Sequence, residues 1–308
     1  MMNTALQWKD VSYSVRTGFW LRKKRILNRV SLTLPQGAAV GLVGPNGAGK
    51  TTTIKIGAGL VGPDCGQVLA AGGRIADISV RRKTGLLTEL QYFYPHVTVK
   101  EWLRFLVSLT GLSPANITDK FSFFIRELQL EQLLNRQMKT LSKGQAQRVG
   151  LVQAMVHGPD ILLLDEPMSG LDPYWRSKIL QLLRDFRDQG GSILFSSHII
   201  ADVEDLCERI VLMQEGRVQW EGDIRDVRRQ IRGYRVICTS ASAEDLGDWQ
   251  EKAAIETLPD KGVLIYLDPE KKDEFLNFAL SEGITVDAVI PQLLKLEEVL
   301  FGLRKNAD

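Results

Sequence analysis

Three clusters of residues have the types and the spacing to handle the phosphates of a nucleotide. The run Gly44-Pro45-Asn46-Gly47-Ala48-Gly49-Lys50-Thr51, followed by Thr52, fits the pattern G-x-x-x-x-G-K-[ST]. Its glycines let a loop curl until backbone N–H groups face an anion, and a helix opening at Lys50 adds the positive end of its dipole. Lys50 is then expected to reach the β- and γ-phosphates and Thr51 to hold Mg²⁺. The second cluster ends an apolar run: Ile161-Leu162-Leu163-Leu164 is followed by Asp165 and Glu166. Two carboxylates at a strand end suit a division of labour, with Asp165 on Mg²⁺ and Glu166 orienting and deprotonating a water. The third is Leu141-Ser142-Lys143-Gly144-Gln145. Ser142 and Gln145 satisfy the S-x-x-Q capping box, and a capped helix start beside Gly144 is also a second place for an anion.

These clusters need strands and helices to place them. Residues before 38 alternate apolar and polar positions, as at Val30, Leu32 and Leu34, and turn at Pro35-Gln36-Gly37, which predicts antiparallel strands. Residues 38–43 predict a buried strand leading into the glycine-rich loop and a helix from Lys50. From Val99 the period becomes helical: Val99, Trp102, Leu103, Leu106 and Leu109 share one face, and Phe121, Phe124, Ile125 and Leu128 another. A helical insert at about 92–157 follows. Further strands are expected at 161–164, 192–196 and 210–213 with helices between, hence an α/β fold whose sheet has a parallel core. The motifs stop by Gly222. Residues 223–308 read as a small α+β accessory domain: strand 234–239, helix 242–251, strands 254–258 and 262–267, helix 270–281, strand 284–290 and a last helix at 291–303. That βαββαβ order suggests a ferredoxin-like unit.

Composition excludes several classes. With 308 residues the chain can bury a core without staples. Cys65, Cys207 and Cys238 are too scattered for a metal site and are expected to be reduced thiols. The net charge is +2 with both signs interspersed, so no nucleic-acid partner is expected. The local exception, Arg22-Lys23-Lys24-Arg25, could touch phosphates, acidic lipid or a partner, and reads first as a solvated hairpin tip. Residues 1–9 lack a leader pattern, and no apolar run approaches the roughly 18 residues of a spanning helix. Any membrane role is expected to come through a partner.

The order of Gly44 to Thr51, Leu141 to Gln145, Ile161 to Glu166, Ser169-Gly170-Leu171-Asp172 and His198 resembles the ATP-binding cassettes of the ABC family, over residues 1–222. The resemblance implies a P-loop NTPase cassette with an antiparallel β layer, and ATP and Mg²⁺ as cofactors. It also implies a head-to-tail dimer, with itself or with a similar chain, in which Ser142, Gly144, Gln145 and Asp172 meet nucleotide held at Lys50 of the other subunit. By the same comparison His198 contacts the γ-phosphate and positions the water. Asp172-Pro173 independently reads as a helix N-cap followed by proline. The short LSKGQ signature and the C-terminal extension resemble subunits paired with ABC-2-type exporters. They imply a peripheral protein on the cytoplasmic face of the cell membrane, attached to an integral permease. The aromatic segment Tyr92-Phe93-Tyr94-Pro95-His96 lies where related proteins receive a helix of that permease.

Two departures stand out. The glutamine usual after the next strand, a Mg²⁺ and water ligand, is here Glu89, with Gln91 as the alternative two residues on. The aromatic that usually stacks on adenine is replaced by Val15, leaving Tyr13, Phe19 or Trp20 as substitutes. A soluble ABC ATPase acting on ribosomes or DNA is the rival reading. Against it stand the single cassette and the absence of sustained heptads between Lys50 and Leu141.

Overall fold

The computed structural model describes residues 3–17, 22–70, 73–91, 93–109, 114–228, 231–239, 241–258 and 262–293. Alternating side chains make the first two strands a long antiparallel pair, β1 (Thr4–Thr17) and β2 (Arg22–Pro35). The inward set of Leu6, Trp8, Val11, Leu27, Val30, Leu32 and Leu34 is buried. Next comes β3 (Ala39–Val43), buried at all five positions, and α1 (Lys50–Gly57). β4 (Cys65–Ala70) and β5 (Gly73–Arg74) complete an antiparallel sheet in the order β2-β1-β4-β5.

A short helix, α2 (Ile78–Arg81), leads to β6 (Thr84–Leu87). The helical insert consists of α3 (Val99–Leu109), α4 (Pro114–Glu127) and α5 (Lys143–Met155). Its inner face holds Val99, Trp102, Leu103, Phe124, Ile125 and Leu128; Leu109, expected on that face, is 65% exposed at the helix end. β7 (Ile161–Asp165), α6 (Pro173–Asp188), β8 (Ser192–Ser197), α7 (Ile200–Leu206), β9 (Arg209–Gln214) and β10 (Arg217–Asp223) follow.

The second sheet runs β10-β9-β3-β8-β7-β6; every neighbouring pair is parallel except the terminal hairpin β9–β10. Register puts Leu42 of β3 opposite Ser196 of β8, and Ser196 opposite Asp165 of β7. The carboxyl ends of three strands are therefore level, which is where ligands gather in an open parallel sheet. Burial of Leu162, Leu163 and Leu164, each fully covered, contributes up to about 1.5–3 kcal/mol per side chain and anchors that edge.

Backbone contacts divide the chain into Met1–Asp223 and Ile224–Asp308. The second unit contains α8 (Ile224–Arg228), β11 (Ile231–Cys238), α9 (Trp249–Lys252), β12 (Ala254–Thr257), β13 (Val263–Leu267), α10 (Lys272–Ser281) and β14 (Ala288–Leu293). Its antiparallel sheet is ordered β12-β13-β11-β14. Val236, Cys238, Val263, Ile265 and Leu267 pack on Trp249 and Phe275.

Three expectations are corrected. Helix 242–251 is a 3-10 turn at Ala243–Leu246 and the four-residue α9, because Gly247 (φ +49°) breaks the helix between them. The last strand runs 288–293, so no helix starts at Pro291; β14 is an edge strand, where a missing N–H is tolerated. The rest of the expected final helix lies outside the described residues. Arg22 to Arg25 belong to β2 itself, paired with Thr17 to Ser14, and do not form a hairpin tip.

Candidate functional site

The phosphate loop is shaped by a backbone that only glycine adopts readily. Gly49, at φ +102°, caps α1, and a Cβ there would lie 2.6 Å from a Leu27 methyl. Lys50 follows, 7% exposed, and its ammonium donates to the carbonyls of Gly44 (2.7 Å) and Pro45 (3.2 Å). Burial pushes the Lys50 pKa down, partly offset by Glu166, Asp165 and Glu89, in that order. Thr51 and Thr52 are half-buried at the start of the same helix.

Across the sheet edge, Ser196 organises the two acids. Its hydroxyl donates to Asp165 Oδ1 (2.7 Å) and accepts from the Glu166 N–H (3.0 Å). Asp165 is 1% exposed, and its Oδ2 is buried without a hydrogen-bond partner. An orphaned carboxylate oxygen in such a place is costly unless a cation or water meets it. Glu166 sits at φ +50°, a left-handed conformation that costs a non-glycine residue on the order of 1–3 kcal/mol and persists only where the surroundings hold it. Hydrogen bonds hold its peptide on both sides, Ser196 on the N–H and Gln147 Nε2 (3.2 Å) on the carbonyl. Its Oε2 is 2.8 Å from Nδ1 of His198, a residue half open to solvent.

A cavity of about 630 Å³ joins the loop to the two acids, lined by Asn46 to Thr52, Glu89, Asp165, Glu166, Glu215 and the β2 residues Lys24, Arg25 and Ile26; His198 reaches it only through Glu166 and is not on its wall. The wall thus combines the acids Glu89, Asp165, Glu166 and Glu215 with the cations Lys24, Arg25 and Lys50 and the N–H-rich loop. A larger cleft of about 750 Å³ opens beside Asp160 and Gly191, at the amino ends of β7 and β8, the side where ligands of such sheets do not bind.

The remaining expected residues are placed unevenly. Ser142, Gly144, Gln145 and Asp172 are absent from the cavity wall. Ser142 and Gln145 close a capping box on α5, and Asp172 caps α6 through the Trp175 N–H (2.9 Å). Glu89 lines the cavity, 4.0 Å from the Lys143 ammonium. Gln91 instead hydrogen-bonds Gln147 (3.2 Å). Val15 pairs with Lys24 across the β1–β2 hairpin, and Tyr13 packs on the core beneath the β layer; Phe19 and Trp20 lie outside the described residues. Phe93 and Tyr94 rest on Trp102 with ring centroids 5.8 and 5.7 Å away, and Tyr94 stays 65% exposed; Tyr92 lies outside the described residues.

Ser196, Gln147 and Glu215 escaped the sequence reading, and only the first two left a signal, as polar residues at buried phases of a strand and a helix. Lys24 and Arg25 come from the basic run that the sequence marks as able to touch phosphates, and they line the cavity. Among the described residues no cluster of three or more His, Cys, Asp or Glu could hold a metal by itself. No helix among them is long and apolar enough to cross a membrane.

The sequence pattern of the ABC transporter family matches residues 27–169. An ABC transporter ATP-binding protein of Nostoc is 34% identical, with 97% of this chain and 89% of that protein aligned. A linearmycin resistance ATP-binding protein of Bacillus subtilis is 31% identical over 71% of each chain. A dimeric ABC cassette solved in a post-hydrolysis state with ADP and Pi superposes with a TM-score of 0.65 at 26% identity, covering 71% of this chain and 99% of that one. Kinship over nearly the whole length, a phosphate loop beside paired acids and a shared fold lead to one conclusion: the chain belongs to the ABC transporter family, as an ATP-binding subunit that hydrolyses ATP.

Proposed function

We propose that two such cassettes close head to tail around two ATP molecules and drive a separate integral permease of the ABC-2 exporter type. The observation that carries this is the split between the motifs: the phosphate loop, Asp165 and Glu166 share one cavity, while Ser142, Gly144, Gln145 and Asp172 lie outside it. A second subunit would bring its own copies of those four residues to the open side of the nucleotide, and two-fold symmetry would complete both sites.

Within each site Lys50 and the loop N–H groups bind the triphosphate. Thr51, Asp165 and Glu89 are the residues that would hold Mg²⁺, and the partnerless Asp165 oxygen fits a cation there. Two or three oxygens completed by phosphate and water are typical of Mg²⁺ sites, which rarely have an all-protein cage. When bound, the metal screens phosphate charge. Glu166 accepts a proton from water as the water oxygen bonds to the γ-phosphorus and the bond to the bridging oxygen breaks, giving ADP and phosphate. His198 holds the Glu166 carboxylate through the 2.8 Å contact and so positions the water.

Exposed Tyr94 and neighbouring Phe93 suit a short permease helix, and 223–308 serves as an accessory domain of ferredoxin-like order. Likeness to a resistance ATP-binding protein favours export. On this reading the chain works on the cytoplasmic face of the cell membrane.

The test mixes Lys50→Ala with Ser142→Arg subunits after confirmed exchange. About half the dimers are mixed and one of their two sites is whole, so phosphate release should reach at most about a quarter of the wild-type value. Release and ATP occlusion that both stay at the level of the separate mutants would remove the shared-site dimer.

A further inference from the structure

Glu166 is held at its carbonyl by a residue that is itself held. Gln147, 2% exposed on α5, donates its Nε2–H to the Glu166 carbonyl (3.2 Å), and its Oε1 accepts from Gln91 Nε2 (3.2 Å). The amide directions follow from chemistry. A backbone carbonyl only accepts, so Gln147 must turn its NH₂ to Glu166 and its oxygen to Gln91, which must then donate. Gly150 lies one turn beyond Gln147 on the same helix face. A Cβ at Gly150 would collide with the Gln91 amide, so the missing side chain is what lets Gln91 reach Gln147. The two amides thus join the loop after β6, which holds Glu89 in the cavity and Phe93 and Tyr94 at the surface, to the strained peptide of Glu166 across separations of 56 and 19 residues.

We infer that Gln91 and Gln147 form an amide relay through which the loop after β6 positions Glu166, so that movement of that loop is felt as misplacement of the catalytic carboxylate. Both are positioning residues: neither lines the nucleotide cavity. The inference rests on Glu166 being the base. A buried hydrogen bond left unmade is felt by its partner, and small misplacements of a reacting group cost up to about a hundredfold in rate.

The test uses the full-length purified chain. Gln147→Glu keeps the size of the side chain but puts an acceptor against the Glu166 carbonyl; kcat should fall on the order of tenfold to a hundredfold while the Kd for a fluorescent ATP analogue stays within about threefold. Gln91→Ala should lower kcat less. The Gln91→Ala/Gln147→Ala pair should be no slower than Gln147→Ala alone, because both act on one bond. The decisive background is Glu166→Gln, in which adding Gln147→Glu or Gln91→Ala should change the residual single-turnover rate by less than about twofold. Wild-type turnover in Gln147→Glu, or a defect of undiminished size in the Glu166→Gln background, overturns the relay. Where Gln147→Glu melts far below wild type, half-buried Gln91→Ala in the two backgrounds decides the matter by the same criterion. Wild-type turnover in Glu166→Gln alone would instead remove the base assignment, and the relay with it.

Discussion

The two units solve different problems with similar means. Both pack helices on a sheet, yet every polar or charged residue under a tenth exposed among the described residues lies in the cassette, including Lys50, Gln147, Asp165, Glu166, Ser196 and Asp202. The C-terminal unit buries Val236, Val263, Ile265, Trp249 and Phe275 instead. Buried polar groups cost free energy unless matched, so a fold keeps them where they act. Asp165 still has an unpartnered oxygen, and Glu166 still has a left-handed backbone. The cassette thus gives up stability at its sheet edge for a prepared site, whereas in the second unit the described residues buried whole are apolar and the orphaned polar atom, Arg235 Nε, belongs to a half-buried side chain.

Removing the chemistry from the cassette should have the largest effect. Glu166→Gln keeps the shape and deletes the base; phosphate release should fall by about 10²–10⁴, with ATP binding retained. Turnover near wild type would break the contrast. A core truncation in the other unit should do the reverse: Phe275 is fully buried with its ring 5.1 Å from Trp249. Phe275→Ala should therefore destabilise that unit by about 3–5 kcal/mol in denaturant melts while ATP turnover holds.

Smaller effects sharpen the contrast. Ser196→Ala strips a hydrogen bond from Asp165 and one of the two made by the Glu166 N–H, which keeps the other, to the Ser196 carbonyl. We expect a loss of about 1–3 kcal/mol of stability together with reduced kcat, read by melting and phosphate release on the same sample. The least change is expected from ending the chain after Asp223, where the contacts divide. ATP binding and hydrolysis should survive, and a folded truncation unable to bind ATP would move the functional boundary into the second unit.

Legibility followed the same division. Gly44 to Thr51 could be read because the loop is made by neighbours in the chain: its glycines, its lysine and the helix behind them act locally. The capping box at Ser142 and the cap at Asp172 were readable for that reason too. In the second unit the strand order emerged while the ends shifted, because Gly247 and the edge position of Pro291 outweighed helical periodicity.

The sequence by itself determined the phosphate loop, the paired acids at the end of a buried strand, and the alternation of strands and helices that sets them on one sheet edge. These depend on residue type and short spacing. Tertiary structure alone decided that Glu89 enters the cavity while Gln91 turns to Gln147, that Tyr13 packs away while Lys24 and Arg25 form a wall, and that Ser196 joins Asp165 to Glu166. The hydrogen bonds among these groups join residues 31 and 56 positions apart. Such partners are chosen by strand register and helix packing, which no local pattern encodes.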